Sequence, residues 1–155
     1  MLWITSEFAH SKCELIDFQL ILYGFKRLFG YSPPQKLGIK PGMKILLLHA
    51  PDDYSGILGE NISAQLVEKA PADLVHLFAV NRKELENDFY DLINQLAPTA
   101  VIWISWYKKS AKIPTDITED VIREIVLPTG WVDVKVCAVN DVWSGLKIVK
   151  RVEIR

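Results

Sequence analysis

Apolar residues along this chain come in two arrangements, short unbroken runs and stripes spaced three or four apart. The run Ile45-Leu46-Leu47-Leu48 within residues 44–49 is continuous, the pattern of a strand covered on both faces. Residues 73–80 and 100–106 repeat it. Helical stripes lie between these runs. Residues 55–69 carry Ile57, Leu58, Ile62, Leu66 and Val67, and residues 81–97 carry Leu85, Phe89, Leu92, Ile93 and Leu96 behind an Asn81/Glu84 N-cap. A third stripe of Val121, Ile122 and Ile125 follows Asp116 and Glu119, which predict its cap, and Pro128 and Gly130 end it. The last quarter changes character. Residues 131–139 and 142–152 read as strands joined by a tight turn at Asn140-Asp141, with Val132, Val134, Val136 and Ala138 on one face. This order predicts a three-layer, Rossmann-like α/β domain: a mostly parallel five-stranded sheet with right-handed crossovers, closing in an antiparallel hairpin.

The first thirty residues form a separate unit in this reading. Ser11 and Glu14 have the S-x-x-E form of a capping box, and apolar positions 15, 18, 22, 25 and 29 then share one helical face up to Gly30. Residues 1–30 are expected to be an amphipathic helix, and residues 31–155 the α/β domain. Asp17 and Gln19 interrupt an apolar stretch already shorter than the ~20 residues of a membrane span, so no membrane partner is expected. The apolar face of that helix suits either the α/β domain itself or a second copy of the chain, which makes a homodimer through it one of two expectations.

Composition narrows the classes. Half of the 155 residues are hydrophobic and the formal net charge is −1. A chain of this size and apolarity can bury about 70% of its unfolded surface, and disorder is excluded as the general state. Near-neutral charge supplies no excess of phosphate-neutralising residues, so nucleic acid is not expected as a partner. Cys13 and Cys137 have no second thiol near them in sequence, which fits buried hydrophobes in a reducing, cytoplasmic setting. His49 with Asp52 or Asp53 lacks a third fixed ligand, and no metal is expected.

Several segments carry a resemblance. From Lys40 onward the order of elements resembles a shortened class I methyltransferase, on the helix ending in Leu96-Ala97-Pro98, the strand Val101-Ile102-Trp103-Ile104-Ser105-Trp106 and the closing hairpin. Residues 31–151 also resemble a small bacterial family known only as a domain of unknown function. The residues that carry this are Lys36-Leu37-Gly38-Ile39-Lys40-Pro41-Gly42, Trp103-Ile104-Ser105-Trp106-Tyr107-Lys108-Lys109, Thr115-Asp116-Ile117-Thr118-Glu119-Asp120, Val134-Lys135-Val136-Cys137-Ala138-Val139 and Trp143-Ser144-Gly145-Leu146. The methyltransferase resemblance implies S-adenosylmethionine, but the turn after the first strand departs from the pattern. It reads His49-Ala50-Pro51-Asp52-Asp53-Tyr54-Ser55-Gly56, without G-x-G, and the following strand ends on no acidic residue that would hold the ribose. Two strand–helix units of the adenosine pocket are also missing in this reading. No cofactor is therefore expected.

In open parallel sheets, ligands bind outside the carboxyl ends of the strands. That rule assembles one rim from Asp52, Asp53 and Tyr54, then Asn81 and Arg82, then Trp106, Tyr107, Lys108 and Lys109, with Asp141, Trp143 and Ser144 arriving from the hairpin turn. Trp106 and Trp143 are its candidate exposed aromatic plates. Mixed charge beside flat rings suits a polar small molecule or a partner protein. His76, mid-strand, reads as a hydrogen-bonded core residue, and Ser144 lacks the G-x-S-x-G context of a nucleophile. Two functions follow. One is a non-catalytic binding module on a methyltransferase-like frame. The other is a small enzyme, a divergent methyltransferase included, in which Asp52 or Asp53 is the base and Lys108 or Arg82 holds an anionic substrate.

Overall fold

The computed structural model describes residues 30–154. The N-terminal amphipathic helix, its capping box and the dimer expected from it lie outside the described residues. Six strands form one sheet in the order β2-β1-β3-β4-β6-β5: β1 (Ile45–Leu48), β2 (Leu66–Val67), β3 (Leu74–Phe78), β4 (Val101–Tyr107), β5 (Trp131–Ala138) and β6 (Trp143–Lys150). The first four in that order are parallel, and β6 runs antiparallel between β4 and β5. This is the mixed α/β, methyltransferase-like frame expected from the alternation, with one strand more than five.

The additional strand, β2, comes from a segment that reads as helical. Gly59 adopts a left-handed backbone, φ 69°, and ends helix α2 (Tyr54–Leu58) after little more than one turn. A short 3₁₀ turn at Ser63–Gln65 follows, and Leu66 and Val67 then pair with Ile45 and Leu46. The apolar spacing of Ile57, Ile62 and Leu66 mimicked a helical stripe because a turn and a strand happen to repeat it. From β2 the chain returns to the start of β3 in six residues, 68–73, without a crossover helix.

Two apolar layers flank the sheet. On one face, helices α3 (Arg82–Ile93) and α4 (Glu119–Val126) bury Leu85, Phe89, Ile122 and Ile125 against Leu46, Val75, Ile102, Ile104 and Leu146. On the other, α1 (Pro33–Leu37) and α2 bury Leu37, Tyr54 and Leu58 against Leu74, Phe78, Trp103 and Trp143. The Trp103 indole N–H donates to the Leu37 carbonyl at 2.8 Å, so this large ring leaves no buried donor unpaired. Gly145 lies against that ring. A Cβ there would stand 3.0 Å from Val139 Cγ2 and 3.2 Å from Trp103 Cε3.

Local signals at helix starts held unevenly. Asn81 caps α3, its side-chain oxygen accepting from the Glu84 N–H at 2.9 Å. At α4 the cap is Thr118, which accepts from the Val121 N–H at 3.2 Å, and not Asp116. Ile117 is buried, and Asp116 instead accepts from the Arg82 N–H at 2.8 Å, tying the loop to the start of α3. The hairpin face also differs. The pairing of β5 with β6 slips between Asp133 and Lys135, which breaks the alternation and leaves Val134 and Val136 about half exposed. Beyond the slip, Lys135 stands directly opposite Lys147 on β6.

Candidate functional site

The sheet reverses its winding between β1 and β3, where the crossover to β2 goes one way and the path to β4 the other. Ligand crevices of open α/β sheets form at such switch points, outside the strand carboxyl ends. Residue His49 leaves β1 here with φ 55°, a left-handed backbone that costs little only for glycine. Its Nε2 lies 2.8 Å from Asp88 Oδ2 on α3. Neither half of this pair was singled out as a rim residue, and no sequence signal links positions so far apart.

The rim residues divide sharply. Asp52 and Asp53 are exposed in the turn before α2, and Asp53 makes no capping bond with its side chain. Tyr54 leaves the rim altogether. It is buried, and its hydroxyl lies 2.9 Å from His76 Nδ1, while His76 Nε2 lies 2.7 Å from the Ser105 hydroxyl. Burial pushes the Tyr54 phenol up and the His76 imidazole down to about 3. His76 is thus the satisfied core histidine its mid-strand position suggested. These three groups pin α2 to the middle of the sheet.

Arg82 also changes role. Its guanidinium donates to Glu86 at 2.9 Å and to Glu124 at 2.8 Å, so the charge that was to hold an anion bridges α3 and α4. Both contacts raise its pKa, Glu86 more than Glu124. Asn81 spends its side chain on the helix cap. The two candidate plates are not exposed. Trp106 is 8% accessible and Trp143 is 7%, the latter wedged between Phe78 and Tyr107, which stacks on it at 4.1 Å. Both are placed by strand pairing: their side chains face the two helical layers rather than the strand ends. Asp141 is exposed, and Ser144 is half-buried.

What the fold does bring together is the end of β4 and the hairpin turn. The Lys108 N–H donates to the Val142 carbonyl at 2.8 Å, and Asn140 Oδ1 accepts from the Val142 and Trp143 N–H groups. From there residues 108–118 run back across the rim. The Thr115 hydroxyl donates to the Val80 carbonyl at 2.6 Å beyond β3. A cavity of about 640 Å³ opens between this loop, the end of β4 and α4. Trp106 and Tyr107 line it from the strand, Ile113 and Thr115 from the loop, and Glu119 and Arg123 from the helix. Lys108 and Lys109 stand at its edge, and neither takes part in an ion pair among the described residues. Arg123 is held by Asp133 at 3.0 Å, by Glu119 and by Asp120 at 3.5 Å. Asp133 contributes most to raising its pKa. The helix side of this cavity was not foreseen. The available signal was the irregular stretch of eleven residues after a strand carboxyl end, the place where binding loops concentrate.

The turn after β1 departs from the glycine-rich pattern that the methyltransferase resemblance implies. Proline and two aspartates stand in the turn where backbone must approach the ligand. An acidic residue does follow the next strand, contrary to the sequence reading, because β2 ends at Val67 and Glu68 comes after it. Glu68, however, lines a separate groove of about 320 Å³ with Leu46, Leu48, Asp88 and Asp91, to which none of residues 49–56 contributes. His49, the first residue of that turn, reaches this groove through its 2.8 Å contact with Asp88 Oδ2. Among the described residues, no group of three or more His, Cys, Asp or Glu side chains is placed to hold a metal, and no helix is long and apolar enough to cross a membrane. Burial raises the pKa of the Cys137 thiol, against the pull of Lys135 and Lys36, so it lacks the thiolate character of a nucleophile.

No family model and no curated protein matches the sequence. Solved structures are similar in fold. A Sulfolobus solfataricus protein assigned to the type 11 methyltransferases aligns with a TM-score of 0.53 at 11% identity, over 76% of this chain and 89% of its own. The tRNA methyltransferase TrmK of B. subtilis aligns with a TM-score of 0.50 at 8% identity, over 77% of this chain and 65% of its own. TnmH aligns with a TM-score of 0.50 at 13% identity, over 79% of this chain and 47% of its own. The methyltransferase-like frame is therefore a property of this chain. At such identities the likeness extends to the fold alone.

Proposed function

We propose that this domain is a non-catalytic binding module, built on a methyltransferase-like frame, that holds a small molecule in the cavity beneath residues 108–118. The single observation that carries the reading is that cavity of about 640 Å³, located at a strand carboxyl end where open α/β sheets take their ligands. Its loop is anchored at both ends, by Lys108 on the hairpin turn and by Thr115 and Asp116 on the β3–α3 corner, so little ordering accompanies binding. A catalytic reading needs a base within reach of the ligand. Asp52 and Asp53 do not line the cavity, and the carboxylates that do, Glu119 and Asp120, are engaged by Arg123.

Native mass spectrometry of gently purified protein, followed by amide NMR of a fragment screen and of an S-adenosylhomocysteine titration, tests this reading. Shifts should cluster in residues 106–120, and S-adenosylhomocysteine should give no saturable response. Saturable binding of that compound with shifts at residues 49–56 would return the frame's cofactor to the β1 turn and overturn the proposal.

A further inference from the structure

We propose that the groove between β1 and α3 binds a small organic cation, an ammonium group on an apolar body. This would be a second site, sharing no lining residue with the cavity beneath residues 108–118. The groove originates in the path of the chain. Strand β2 returns to β3 through residues 68–73 without a crossover helix, so no described helix covers the sheet there beside α3. Leu46, Leu48 and Ala70 line the gap together with Leu92 of α3, and Leu48 is left half-buried. Along α3 the lining runs from Asp88, beside His49, to Gln95, about 10 Å at a rise of 1.5 Å per residue. That length and a volume of about 320 Å³ suit a ligand at the small end of the usual range.

The charge around this groove is negative and mostly unanswered. Glu68 stands on the β2 side, while Asp88 and Asp91, three residues apart, are neighbours on one face of α3. Glu68 and Asp91 take part in no ion pair among the described residues. Lys69 is the one lysine or arginine in the lining, and even with His49 protonated beside Asp88 the carboxylates outnumber the positive charges. Lys44, which precedes β1, is matched by Asp73, whose carboxylate accepts from its backbone N–H at 2.8 Å. Asp91 lies in the last turn of α3, and that turn carries no basic residue. The partial negative charge of the helix carboxyl end therefore adds to the carboxylates, where a cation is the favoured neighbour. An ammonium group gains charge-assisted hydrogen bonds here, and the leucines take its carbon body. A neutral ligand forfeits the first gain, and an anion meets like charge.

Phenethylamine and phenethyl alcohol, matched in shape and different in charge, test this by calorimetry and amide NMR on the full chain. The wild-type protein should bind the amine at least about tenfold more tightly than the alcohol, with shifts in residues 46–49, 68–70 and 88–95. That preference should shrink as salt is raised to about 0.5 M, as expected of partly exposed charge. The double variant Glu68→Gln/Asp91→Asn removes two exposed, unpaired carboxylates, so it should melt no lower than the wild type and bind both probes alike. Asp52→Asn, outside the groove, should keep the preference. Equal affinity of the two probes for the wild type, or no binding of either, would overturn the cation inference. A preference that survives in the double variant would overturn the assignment of Glu68 and Asp91. Shifts confined to residues 106–120 would overturn this site and leave the cavity reading standing.

Discussion

Lowering the pH should destabilise this domain through one buried residue, His76. Its side chain is fully inaccessible and bonded at both ring nitrogens, to Tyr54 and Ser105. Burial holds its pKa at about 3 in the folded state, against roughly 6.5 in an unfolded chain. The unfolded state therefore takes up the proton first. Stability is fully present above pH 6.5 and is lost as pH falls toward the folded pKa of about 3, at about 1.4 kcal/mol per unit. Between pH 7 and pH 5 the loss from this group is roughly 2 kcal/mol, and a domain of this size in urea should show it as a midpoint lower by about 1 M. The wild-type slope sums over every group whose proton occupancy changes on unfolding, so the informative quantity is a difference. His76→Gln removes the ionisation and keeps a polar group in place. Its midpoint at pH 7 should be lower than that of the wild type, but it should fall less steeply toward pH 5, and the gap between the two proteins should close by roughly 2 kcal/mol. Parallel lines of midpoint against pH would refute the reasoning, because they would mean that His76 takes up its proton without unfolding.

Two substitutions test the packing. Trp143→Ala should cost about 3–5 kcal/mol in urea unfolding, since the indole fills the space between Phe78 and Tyr107; a loss under 1 kcal/mol, the ordinary cost at an exposed position, would return it to the surface. Gly145→Ala should cost about 1–3 kcal/mol, because the new methyl meets Val139 and the Trp103 ring. An unchanged melting temperature would show that these neighbours give way.

What could be read from the sequence was what depends on near neighbours. The Asn81 cap is a contact across three residues, and the continuous apolar runs of β1, β3 and β4 declare two-sided burial by themselves. Strand β2 is two residues long and is defined by pairing with Ile45 and Leu46, some twenty positions away, which no local pattern encodes. The rim divides for the same reason. Topology placed Tyr54, Arg82 and Trp143 correctly at strand ends, but side-chain direction was decided by distant partners: His76 for the first, Glu124 for the second, Phe78 for the third. Lys108 and Lys109 survive as site candidates because nothing distant claims them. The loop they begin was legible as irregular chain. Its cavity was not, since that depends on how α4 stands against the end of β4.

The slip in β5 bears on how this protein tolerates company. Among the described residues, strand β5 is the last in the sheet and no strand pairs with its outer row of backbone groups. An exposed row of this kind is a template on which a second chain can add, the usual first step toward fibrous assembly. Here the template is spoiled in two places. The irregularity between Asp133 and Lys135 leaves only short even stretches on either side, and Lys135 opposite Lys147 sets two like charges where an incoming strand would bring more crowding. Val134 and Val136 can therefore stay exposed without turning the edge into an adhesive.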